Sequence, residues 1–168
     1  VVGLHNWTLM GMLVSSYAWG YSADRKGSKP VLMAALLLVV LLPLGWMALP
    51  RYAADSALYA GVMAMLSGVG MMGYSISNER LLFVSAVPPE KKTEYMAVFY
   101  TFTQILMALS PFLAGRVLAA ATGLDGRAYG VEFDQYTPFF VGSLLLVLVG
   151  IWIFSGVSER DRLSGDTP

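Results

Sequence analysis

Along the 168 residues, long uncharged stretches alternate with short clusters of charge. Five stretches have the length and polarity of membrane spans: about residues 1–23, 31–49, 56–86, 93–121 and 136–158. Glu79 and Arg80 interrupt the third after an uncharged run, and Glu94 and Arg116 lie toward the ends of the fourth. Roughly 20 helical residues cross a hydrocarbon core of about 30 Å. In lipid only a helix or a closed barrel satisfies its own backbone groups. The ten-residue alternation of a barrel strand is absent from these stretches. The pattern predicts an all-α polytopic membrane bundle of about five transmembrane helices, with a polar tail over 159–168.

Composition agrees with the pattern. Charged residues make up 13% and apolar residues 57%, whereas a soluble domain carries about a quarter charged residues. A net charge of zero provides no basic footprint for nucleic acid. With no cysteine and a single histidine, His5, neither a thiolate nor a zinc site can be assembled. Membrane enzymes gather His, Asp or Glu at one depth, and the third stretch carries one carboxylate, Glu79. No catalytic residue, metal or cofactor is therefore expected, and the chain is not read as an enzyme. The connectors alternate in charge. Arg25, Lys26, Lys29, Lys91, Lys92, Arg160 and Arg162 fall on one side, and Arg51 and Arg127 on the other, with Arg116 at a helix end. By the positive-inside rule the first and third loops and the C-terminus are cytoplasmic, in a multi-pass protein of the cell membrane. Tyr52, Tyr59, Tyr129 and Tyr136 are read as outer interfacial anchors, and Trp19 and Tyr95 as inner ones.

The connector between the first two stretches is a compact charged hairpin built on Gly20, Asp24, Arg25, Gly27 and Lys29. Gly20 is expected to let two helices approach closely, and Gly27 to take a positive φ in a tight turn. This arrangement resembles the signature hairpin of the major facilitator superfamily, with Ser28 where the family often has a further arginine. Val87-Pro88-Pro89-Glu90-Lys91-Lys92-Thr93 is similar to the family's short proline-containing cytoplasmic loop. The Ser110-Pro111-Phe112-Leu113-Ala114-Gly115 stretch extends the likeness.

The resemblance implies either the second to sixth or the eighth to twelfth helices of a twelve-helix secondary transporter; the latter is preferred, hence a C-terminal part working with a missing N-terminal half. It implies movement of a small organic solute by alternating access. The energy would come from an ion or solute gradient, a proton among the candidates, since no Gly-rich Lys-Ser/Thr phosphate loop occurs. Two rival readings fit less well. A helical scaffold that binds partners through the glycine-rich third stretch gives no reason for Asp24-Arg25 between glycines. An integral-membrane enzyme would need more than one His and one intramembrane Glu.

Within this reading Glu79 and Arg80 stand about two turns inside the cytoplasmic end of the third span. Ionisable residues at that depth are usually paired and directed into the bundle. The expectation is a latch in which Asp24 and the hairpin bases pair with neighbouring helix ends, with Arg80 among the latch residues and Glu79 bonding Arg25 or Lys29. The alternatives are a proton site at Glu79 and an interfacial pair without a transport role. A solute path is expected on polar stripes: Asn6 and Tyr17 in the first span, Ser67, Tyr74 and Asn78 in the third, Thr101 and Gln104 in the fourth. Gly68 and Gly73 are assigned to helix packing. Pro43 and Pro111 are expected to kink or unwind their helices.

Overall fold

The computed structural model describes residues 2–49, 55–87, 89–124, 126–128 and 131–156. Five long helices follow in chain order: α1 (Val2–Lys26), α2 (Ser28–Met47), α3 (Ser56–Arg80), α4 (Lys92–Ala120) and α5 (Thr137–Ser155). Helix α3 continues into a π-helical segment, Leu81–Ala86, and a 3-10 turn, Pro89–Lys91, leads into α4. In the connector between α4 and α5, Gly126–Ala128 (β1) and Val131–Phe133 (β2) pair antiparallel with Arg127 opposite Glu132. That small ribbon is not evident in the sequence, where the connector reads as an ordinary loop. Arg51, Tyr52, Tyr129 and the tail 159–168 lie outside the described residues.

Among the described residues, four helical stretches are long and apolar enough to cross a bilayer: Ser28–Met47, Ser56–Phe83, Lys92–Ala120 and Thr137–Ser155. Helix α1 has the length, 25 residues, but His5, Asn6, Thr8, Ser15, Ser16 and its charged last turn dilute its hydropathy. One stripe of it, with Gly11 and Ser15 buried, packs along α3, and most of its other residues are exposed. Both prolines are accommodated: α2 and α4 remain helical on either side of Pro43 and Pro111.

Glycines set the distances between the first three helices. A Cβ on Gly68 would collide with the Thr8 carbonyl oxygen, and one on Gly11 with the Met65 carbonyl oxygen. The backbones of α1 and α3 therefore touch at two reciprocal points, as small residues permit in membrane helices. Gly61 sits under the Trp7 indole and Gly73 under the Trp19 indole. From Trp7 on Gly61 to Trp19 on Gly73 the numbers rise together on both helices, so α1 and α3 run parallel. Against α2 the order reverses: Gly45 meets Met63, Gly70 meets Leu38 and Val39, and Gly73 meets Ala35. Helices α2 and α3 are thus antiparallel. Toward the hairpin end a small apolar core joins α2, the π segment and α5, formed by Leu32, Leu36 and Leu81 with Val147, Ile151 and Phe154 against them.

The bare backbone at Gly73 lets Trp19 lie flat on α3 and donate its indole N–H to the Val69 carbonyl at 2.9 Å. That carbonyl keeps its helical partner one turn on, so losing the indole donor strands no acceptor. Trp19→Phe is expected to keep the fold and lower stability by about 1 kcal/mol, read as a small drop in the thermal midpoint in detergent. A loss above about 3 kcal/mol would mean that the ring's packing, not the hydrogen bond, dominates this contact.

Candidate functional site

Helix α1 ends at Lys26 and α2 begins at Ser28, so one residue turns the chain. That residue is Gly27, at φ 87° and ψ 165°, a conformation a side chain would strain. Pro30 falls in the first turn of α2, where the N–H has no intrahelical acceptor to lose. Arg25 and Lys26 occupy the last turn of α1, where the negative end of the helix dipole favours cations.

This turn is held to two other helices. Asp24 accepts from Arg80, the last residue of α3, at 2.6 Å. Lys29 donates through Nζ to the Ser155 carbonyl at 2.9 Å, on the last residue of α5. That carbonyl belongs to the orphan acceptors of a helix C-terminus, and a lysine there both satisfies it and complements the dipole. The ends of α1, α2, α3 and α5 are thereby gathered by two charged contacts. Arg25 takes a third course, its guanidinium lying over the Tyr21 ring at 4.7 Å. Tyr21 in turn stacks on Tyr17 with centroids 6.2 Å apart.

Of the two latch residues expected on α3, the structure places Arg80 against the hairpin and leaves Glu79, the expected partner of Arg25 or Lys29, exposed. The reason is helical phase. Arg80 continues the stripe of Gly73 and Ser77, which is buried, at steps of four and three residues. Glu79 is rotated by about 100° from Arg80 and follows Ser75, which is exposed. The polarity of the contact is therefore opposite to that expected of Glu79: the hairpin supplies the carboxylate and α3 the cation. The pair is partly solvated, with side-chain exposures of 38% for Arg80 and 64% for Asp24. Two polar atoms beside it are buried without a hydrogen-bond partner, Ser77 Oγ and Arg80 Nε.

Gly20 also departs from expectation. A Cβ there would meet nothing, because the close contact of α1 with α3 lies higher up, at Gly11. A spacing signal was available for it: Gly11 and Ser15 form a small-x-x-x-small pair, and both are buried.

The candidate path residues are distributed over separate surfaces. Asn6 and Tyr17 lie on an exposed side of α1. Ser67 turns its hydroxyl back to the Met63 carbonyl at 2.8 Å. Tyr74 opens into an apolar cleft of about 320 Å³ between α2, α3 and α5, with Leu36, Val39, Met71 and Phe154 among its walls. Asn78 is half-buried near the clasp. Thr101 lines a shallow groove along α4 with Val98 and Phe102, and Gln104 is exposed. The stripe through Ser67, Gly70 and Tyr74 thus faces α2 and α5 rather than Thr101 and Gln104.

Compared with known proteins, residues 3–167 match the family model of the Major Facilitator Superfamily. No curated protein and no solved structure is detectably similar to the chain.

Proposed function

Because this chain belongs to the Major Facilitator Superfamily, we propose that it forms part of a secondary transporter that moves a small organic solute across the cell membrane by alternating access. The observation that carries the mechanism is the clasp at the hairpin, Asp24 to Arg80 and Lys29 to the Ser155 carbonyl. In such transporters two helical bundles rock about a central site; the clasp joins helix ends within one bundle, and in this reading those ends part and rejoin as the cytoplasmic side opens and closes. A partly exposed ion pair is worth only about 0–1 kcal/mol. That weakness suits a contact that opens in every cycle, whereas a fully buried pair would resist opening. The positive-inside pattern puts the hairpin and the C-terminus in the cytoplasm. The family membership and the four apolar helices favour transport over a scaffold. Helix α4 has no buried residue, which supports further helices completing the bundle around it. A solute or ion gradient, a proton gradient among them, supplies the energy.

The reading is tested by solute profiling of cells that express the protein. At least one small organic solute is expected to differ several-fold in cellular content from cells lacking it. Asp24→Asn is expected to shrink that difference at an unchanged membrane level of the protein. Identical solute profiles with and without the protein would remove the transporter reading.

A further inference from the structure

The π-helical segment Leu81–Ala86 lies where the clasped helices hand over to α4. Its hydrogen bonding is wide, with Val87 N–H bonding to the Leu82 carbonyl at 3.0 Å, five residues back. Such segments are rare and are frequently found at functional positions in helices. Residues on its two sides are held by different parts of the molecule. Arg80, immediately before it, is tied to Asp24, and Leu81, its first residue, is buried against Leu32 and Leu36. Phe83, two residues further on, turns to α4, where it meets Phe99 edge-on at 6.0 Å and Tyr100 at 6.0 Å. Helix α4 has no buried residue, and its packing on α5 is sparse. These aromatic contacts, each worth roughly 0.5–1.5 kcal/mol beyond area, are therefore a large share of what positions α4.

We infer that the π segment Leu81–Ala86 is a register joint, through which α4 changes its position relative to the clasped helices with Phe83 as the grip. The physical basis is the step between π and α bonding. Returning to i→i+4 bonds shifts the register by one residue, which rotates the downstream residues by about 100° and moves them by about 1.5 Å along the axis. The residues before the joint cannot turn with them, because Leu81 is locked in the apolar core and Arg80 in the clasp. Phe83 carries the change to Phe99 and Tyr100. The joint goes beyond the transporter reading and rests on it only for its purpose; its motion can be measured with no solute present.

The 168 residues contain no cysteine, so introduced cysteines carry spin labels without background. Labels at Leu13 of α1 and Leu113 of α4, both exposed, report the α4 position in lipid nanodiscs. Labels at Leu13 and Leu37 report α1 against α2. Phe83→Ala is expected to broaden the α1–α4 distance distribution. Deletion of Leu82, the residue between locked Leu81 and Phe83, removes the extra residue of the wide turn and is expected to shift it by about 5 Å or more, given the rotation above and a helix about 10 Å across. The α1–α2 distance is expected to stay fixed in both. If neither variant alters the α1–α4 distribution, the joint does not exist. If Phe83→Ala displaces the α1–α2 pair as well, the segment belongs to the rigid core and the inference is equally overturned. Should the deletion variant fail to assemble, Phe83→Ala decides alone.

Discussion

Gly68→Val is expected to separate α1 from α3 and to lower the thermal midpoint of the protein by about 10 °C. The new side chain points at the Thr8 carbonyl oxygen, a backbone atom that cannot rotate away as the end of a side chain would. Overpacking typically costs about 1–3 kcal/mol, and a backbone obstacle puts this case at the upper end. For a chain of this length each kcal/mol lowers the midpoint by about 2–4 °C. The damage is expected to spread, because the same seam seats Gly11 on Met65 and Trp19 on Gly73. Gly20→Ala is the control: its Cβ enters open space, and better helix propensity stabilises by up to about 1 kcal/mol. Fluorescence-detected unfolding in detergent measures both. Equal midpoints for Gly68→Val and the unsubstituted protein would show that the two helices do not touch at this point.

Reversing the cation of the clasp is the second large effect. Arg80→Glu sets a carboxylate against Asp24, and solute movement is expected to fall at least about tenfold, equivalent to about 1.4 kcal/mol in the balance of states. Stability is expected to change by only about 1 kcal/mol, because both partners are partly solvated. The split between a large activity loss and a small stability loss distinguishes a switching contact from a structural one. Asp24→Arg combined with Arg80→Glu restores an opposite-charge pair and is expected to recover activity to within a few-fold. Glu79→Gln is expected to retain activity close to that of the unsubstituted protein. A Glu79→Gln variant as impaired as Arg80→Glu, with no rescue in the double variant, would return the latch to Glu79.

The contrast between Glu79 and Arg80 illustrates how far the site could be read from residue order alone. Charge placement marked both residues as unusual, since they come after a long uncharged run and precede six more uncharged residues. Choosing between them required the phase of α3 relative to α1 and α2, and the sequence offered a partial guide in the Gly73, Ser77, Arg80 stripe. The carbonyl of Ser155 was invisible by comparison. A backbone acceptor has no residue-type signature, and Lys29 finds it only because α5 ends beside the start of α2. Polar stripes were the least reliable guide. Tyr74, Thr101 and Gln104 satisfy helical spacing, yet spacing says which residues share a face and nothing about which neighbour covers it.

The sequence by itself determined the class of this protein: uncharged runs of membrane length force helices, because lipid offers backbone groups no other partner. It also determined the place of the tight turn, because a glycine between helix-forming segments marks where the chain can reverse. Only the tertiary structure decided which helices touch and at which residues. The backbone contacts of Gly11 and Gly68, the Asp24–Arg80 pair and the π segment that leads toward α4 depend on the rotation of each helix about its own axis. That rotation is set by side chains from separate parts of the chain fitting together, so no local stretch of sequence contains it.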